Sequence, residues 1–231
     1  MFAKLSIRTK IISVVAFLLV AMTGMGLLAV MKMRSMNANT VDITTNWMPS
    51  VRVIGDLRAS VITYRNVVRQ HMLAEALEDK LAVEKTAATV TEALAKVRSR
   101  YEAMISSQEE RALYSQWSKL WDDYKKGTEE VMALSRKEAG KIPREAQELN
   151  SKTVNKIGLQ ADEVLNKDIE LNTKGGERAA QDAADSYAYA FMLVSVILGA
   201  VVVIGLGAQL LSRPRRLQRH QLDHPADAGA G

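Results

Sequence analysis

Along this chain two long stretches carry no charge, and between them apolar residues recur every three or four positions. Ile11 to Met31 is an uncharged run of 21 residues, and Ala188 to Leu211 is one of 24. A bilayer core of about 30 Å needs roughly 20 apolar residues at about 1.5 Å of helical rise each. Both runs are long enough to span a membrane. Between them, Ile54, Leu57, Val61, Tyr64, Val68 and His71 alternate steps of three and four, the seam of a packed helix. A second stripe runs Val83, Ala87, Val90, Leu94, Val97, Tyr101 and Met104, and a third Leu113, Trp117, Leu120, Tyr124, Gly127, Val131 and Leu134. A fourth, Val154, Ile157, Ala161, Val164, Asp168 and Leu171, is weaker, with Asp168 interrupting it.

Four stripes predict an all-α fold, an antiparallel up-down four-helix bundle continuous with two transmembrane helices. Turn punctuation agrees, because residues 32–187 hold only Pro49, Pro143 and six glycines, which leaves no room for a turn-rich β-fold. The breaks predict helix one from about Lys32 to Ala74, helix two from Asp79 to Ile105, helix three from Ser107 to Lys137 and helix four from Pro143 onward. Pro143 suits a first turn, where its missing N–H has no partner to lose. With no linker before either apolar run, helices one and four are expected to continue into the spans as rods.

Charge then fixes an orientation. The chain carries +5, yet residues 32–187 hold 24 basic and 24 acidic side chains. The excess sits on the ends, in Lys4, Arg8 and Lys10 before the first span and in Arg213, Arg215, Arg216 and Arg219 after the second, set against Asp223 and Asp227. Positive flanks stay inside, so both termini are expected in the cytoplasm of a bacterial inner membrane and the middle in the periplasm. The domains read 1–10 cytoplasmic, 11–31 first span, 32–187 outer sensor bundle, 188–211 second span and 212–231 cytoplasmic tail. The first run reads as an anchor, since it exceeds the usual 7 to 15 apolar residues of a signal peptide. A pI near 9.4 would otherwise invite nucleic acid, but no basic patch with interleaved aromatics occurs in the middle segment.

The basic start MFAKLSIRTK, a first span, the stretch TTNWMPSVRVIGDLRASVITYRNVVRQHMLA, the hairpin with SSQEERALYSQW and a second span together resemble the sensor half of a bacterial methyl-accepting chemotaxis protein. The similarity covers about residues 1–211, and Asn46, Trp47, Pro49 and Ser50 followed by Arg58 and Arg65 match a recurring pattern early in helix one of that family. The resemblance implies a homodimeric receptor that binds a small molecule outside and signals through the second span to a HAMP linker and a kinase-control hairpin. A chemotaxis kinase complex is a partner only where such a cytoplasmic region exists. The tail SRPRRLQRHQLDHPADAGAG departs from this pattern. A one-base shift of its codons allows a HAMP-like opening, so residues after about Arg213 read either as a frameshifted linker or as a basic tail holding the span in place. Other outputs compatible with the same sensor are a histidine kinase or a cyclase, and the reading of another class is a non-sensing envelope adaptor.

The candidate ligand site follows from spacing. Arg58, Arg65 and Arg69 fall within about 20° of one helical direction, a basic stripe beside the seam. Guanidinium forks match carboxylates bidentately, so the stripe could capture an organic or amino-acid anion. It could equally pair with acids of a neighbouring helix. In the family the ligand often sits between helices one and four near the membrane-distal end, and there Asn150 and Thr153 lie level with Arg65 and Arg69. Trp117, Trp121, Tyr114 and Tyr124 read as core, although an aromatic lining could also stack on a ligand. His71 is the single histidine of the middle segment, so no His-based metal site is expected there; His220 and His224 lie in the tail. Gly175 and Gly176 read either as a hinge or as a point of close helix approach. Ser195, Gly199, Val203 and Gly207 give the second span a small-residue face. Without cysteine, a phosphate loop or a nucleophile–base pair, catalysis and cofactors are not expected.

Overall fold

The computed structural model describes residues 6–211. The expectations placed on Arg213, His220, His224 and the frameshifted linker lie outside the described residues. In chain order the elements are α1 (Ile7–Asp42), a π-helical turn (Ile43–Trp47), α2 (Met48–Leu73), α3 (Leu77–Glu102), α4 (Gln108–Lys137), α5 (Arg144–Leu149), a second π-helical turn (Asn150–Val154) and α6 (Asn155–Leu211). The chain divides into two compact units, Met36–Ala184 and Met1–Ser35 with Asp185–Gly231.

The larger unit is the four-helix bundle, formed by α2, α3, α4 and the α5–α6 segment. From Ala74 to Pro143 the predicted helix ends hold to within three residues, whereas no helix starts at Lys32, which lies inside α1. Ser107 opens α4 by accepting the Glu110 N–H at 3.1 Å, while Glu110 reaches back to the Ser106 N–H at 2.8 Å. This reciprocal capping is why SSQEE starts a helix there. Pro143 stands just before α5 as its cap residue rather than inside its first turn.

Neither π-helical turn was expected from periodicity. The first precedes Pro49, whose ring would press on the carbonyl four residues back and which has no N–H to offer it. An extra residue in the turn relieves that conflict, and the threonine hydroxyls within it bond back to carbonyls of α1: Thr44 donates to Thr40 and Val41, and Thr45 to Val41 at 2.7 Å.

The first seam is seen as predicted, with Ile54, Leu57, Val61 and His71 all fully buried. The third is a correction. Deep positions on α4 are Tyr114, Trp117, Trp121, Tyr124, Thr128, Val131 and Ser135, whereas Leu113, Leu120, Gly127 and Leu134 are only partly buried. Two polar side chains lie in this stripe because the core supplies partners, Thr128 bonding the Tyr64 hydroxyl at 3.0 Å and Ser135 the Lys80 ammonium at 2.9 Å. Asp168 likewise does not break the fourth seam but belongs to it, 1% exposed.

The other unit contains both uncharged runs. Each helix is long and apolar enough to cross a membrane, its most apolar 18 residues having a mean hydropathy of 2.5 and 2.7 and none of them buried. Phe17, Val20, Leu27, Phe191, Val196 and Val203 expose more than half their surface. Lys32 stands 5.1 Å from the Tyr189 ring centroid, a cation–π contact at the margin of the apolar runs. Gly199 and Gly207 meet nothing within 4 Å of a built Cβ, so the small-residue face is open within the chain.

Candidate functional site

The predicted arginines do not behave alike. Arg58 makes a two-pronged ion pair with Asp162 of α6, Nε to Oδ1 at 2.8 Å and Nη2 to Oδ2 at 3.3 Å. Arg58 is therefore paired with an acid of a neighbouring helix, the alternative role for this stripe, and the contact holds its pKa above the ordinary guanidinium value. Arg65 donates to the amide oxygen of Asn155 at 3.1 Å, and Arg69 to its own neighbour Asn66 at 3.3 Å. Among the described residues neither Arg65 nor Arg69 has a carboxylate within ion-pair distance.

Register locates their neighbours. The pairs 58 with 162 and 65 with 155 descend together, as antiparallel helices must, so Arg69 is level with Ser151. That is inside the second π-helical turn, which also holds Asn150 and Thr153. Asn150 is half-buried and Thr153 exposed, and among the described residues neither makes a hydrogen bond to the arginines. The level match expected from sequence is present, but Asn155 makes the side-chain contact.

Tyr124 of α4 closes the group from the core side. Burial pushes its hydroxyl pKa up to about 12, while the nearby charges of Arg65 and Arg69 pull it back. The close approach of α6 depends on Gly158, where a Cβ would come within 2.8 Å of the Tyr124 ring, and on Gly127, where one would come within 2.8 Å of Val154. A π-helical turn inside an α-helix is frequent at functional sites because it displaces backbone groups from the regular ladder. The result is two cations without carboxylate partners beside an irregular helix turn.

Trp117 and Trp121 are core. They stack with ring centroids 6.2 Å apart at 13°, and Tyr64 meets Trp121 edge-on at 5.3 Å. At the α2–α3 turn, Lys80 is fully buried and donates to the His71 carbonyl and the Ser135 hydroxyl, both at 2.9 Å. Its ammonium caps the carbonyl end of α2, and burial lowers its pKa. His71 contacts Glu84 at 3.1 Å and is also lowered by burial, so it serves packing.

A second polar cluster was missed from sequence. Tyr101, Glu110, Asp168 and Asn172 converge from α3, α4 and α6 near the α3–α4 turn, each at most 1% exposed. Its one visible signal was the acid in the fourth stripe. No group of three or more metal-ligating side chains lies together among the described residues.

Residues 4–187 match the family model described as a four helix bundle sensory module for signal transduction. No curated protein and no solved structure matches the chain.

Proposed function

Because the chain belongs to the four-helix-bundle sensory modules of chemotaxis receptors, a signal-transduction family rather than a catalytic one, we propose that it is the small-molecule sensor of a membrane receptor. In this reading residues 32–187 face the periplasm, both termini lie in the cytoplasm, and Arg65 and Arg69 take the carboxylate of an organic or amino-acid anion, with Asn150 and Thr153 beside them.

One observation carries the choice of ligand. Arg58 is satisfied by Asp162, whereas Arg65 and Arg69, on the same stripe, have no acid against them among the described residues. A guanidinium whose partners are neutral amides and the Tyr124 hydroxyl retains donors for a bidentate anion. The ligand acts by preferring one arrangement of the bundle, and α6 carries the difference as a single helix from Asn155 to Leu211.

The reading extends to a homodimer. On the outer face of α2, Met48, Arg52, Gly55, Ala59, Ile62, Asn66, Arg69 and Leu73 alternate steps of four and three, with Met48 and Leu73 62% and 77% exposed. A second copy of α2 on this stripe would place two Arg69 side chains near one interface.

Thermal melts of the full chain in lipid nanodiscs, across a panel of amino acids and dicarboxylates, test the site. A ligand at a hundred times its dissociation constant stabilises by about 2.7 kcal/mol. We expect that shift in the parent protein, its loss in Arg65→Ala and Arg69→Ala, and its retention in Arg58→Ala on a lower baseline. A panel with no shift, or a shift that survives the Arg65/Arg69 double variant, refutes the anion site; the former turns the reading towards an adaptor.

A further inference from the structure

Hydrogen counting at the buried cluster leads to a ligand of another kind. Tyr101 Oη lies 2.8 Å from Glu110 Oε1 and 2.7 Å from Asp168 Oδ2. A phenol has one hydrogen, so it serves one carboxyl at a time. With both carboxyls ionised, the remaining contact would set lone pair against lone pair among side chains at most 1% exposed. Asn172 Nδ2 reaches Glu110 Oε1 and Asp168 Oδ1, each at 3.3 Å, and the Asp168 carbonyl at 3.0 Å. Meanwhile Asn172 Oδ1, on the same amide, is buried with no donor facing it. The cluster holds more acceptors than hydrogens.

The place of the missing hydrogen follows from the surroundings. Glu110 Oε2 accepts the Ser106 backbone N–H at 2.8 Å, the role of a capping carboxylate. Asp168 Oδ2 has only the tyrosine. A hydrogen on that oxygen donates to Tyr101 Oη, and Tyr101 then donates onward to Glu110 Oε1. Each oxygen–oxygen contact thereby acquires one hydrogen.

We propose that Tyr101, Glu110, Asp168 and Asn172 form a reversible proton-binding site: uptake at Asp168 ties α6 to α3 and α4 through Tyr101, and release sets two carboxylates against one hydroxyl and loosens that junction. Burial pushes the Asp168 carboxyl up to about 7; the tyrosine bond opposes this and the Glu110 charge adds to it. Among the described residues no other titratable side chain completes the cluster. The buried face of α2 at this end is Ser50, Val53 and Ile54, and its Asp56 pairs outward with Arg100, next to Tyr101 on α3. Arg98 and Glu102 of α3 are engaged with Tyr114 of α4, and Arg98 also with Asp122. This site is separate from the arginines and needs no anion, so it stands or falls independently of the ligand reading.

The sign of the effect is fixed by linkage. A carboxyl raised in the folded state binds a proton that the unfolded chain has already lost, so its contribution to stability falls as pH rises from about 4 to about 7. His71, lowered by burial, gives the opposite slope. Comparing variants at each pH cancels the histidine.

The test is an infrared titration of the full chain in detergent micelles, with melts at each pH. A protonated-carboxyl band should persist above about pH 5.5, where ordinary carboxyls are ionised, and disappear with a midpoint near 7. Asp168→Asn should lack the band, and its melting temperature should gain on the parent's as pH rises. Glu110→Gln removes a neighbouring group that raises the Asp168 carboxyl and should lower the midpoint, a shift that is readable even if Asp168→Asn does not fold. A parent protein without the band above pH 5.5, a band surviving Asp168→Asn, or an unmoved midpoint in Glu110→Gln would each overturn the proposal.

Discussion

Trp47 and Gly175 meet across 128 positions of sequence, and one absent methyl group permits it. A Cβ on Gly175 would overlap the six-membered ring of Trp47, whereas one on Gly176 would meet Trp47 no closer than its Cβ at 3.4 Å. The indole is fixed from the other side by its Nε1 donating to Asp42 at 2.6 Å. The helix runs through both glycines without a break, and the pair marks a close approach. Gly175→Ala should therefore lose about 1–3 kcal/mol by overpacking, while Gly176→Ala should be neutral or gain up to about 1 kcal/mol from helix propensity. Paired melts of the two variants check this. Equal effects would mean that the indole does not read the difference.

At the scale of elements, the stripes at steps of three and four gave the number of helices, and Gly, Pro and SSQEE gave their ends. Rotation about each axis was harder to read. On α4 both Leu120 and Trp121 are apolar, so the sequence alone offered two stripes one residue apart. The competing stripe also contained Thr128 and Ser135, which look like surface until Tyr64 and Lys80 are known to face them. The same limit hid the proton site, since Asp168 resembles a flaw in a stripe while Tyr101 and Glu110 are on other helices. The π-helical turns differ from α-helix by one residue and leave no periodic signature. The arginine stripe was legible in direction, because spacing fixes azimuth, but not which arginine an acid would claim. The rotation of α4 has a direct check in Thr128→Val. It leaves the Tyr64 hydroxyl, 2% exposed, without its partner and should cost about 1–3 kcal/mol in denaturant unfolding. Thr128→Ser keeps the hydroxyl and should cost clearly less; equal losses would place the tyrosine bond elsewhere.

For the whole molecule, the balance of 24 basic against 24 acidic residues over 32–187 matters for assembly. Net repulsion between two copies of the bundle is small, so contact along α2 is decided by shape and apolar area. Gly55, with open space where a Cβ would stand, and the exposed Ala59 put small residues on the stripe that carries Ile62, which is 41% exposed. Two such stripes can approach closely, as small residues allow along a helix seam. Ile62→Lys places a charge on that stripe without touching the buried face of α2. We expect the parent chain in nanodiscs to cross-link as a dimer and Ile62→Lys to remain monomeric with an unchanged melting profile at low protein concentration. If Arg69 of both copies contributes to one site, the same variant should also weaken the ligand-induced thermal shift about tenfold or more in ligand concentration. Loss of the dimer with full retention of ligand binding would assign the anion to one bundle alone. A dimer that persists in Ile62→Lys would move the interface away from this stripe.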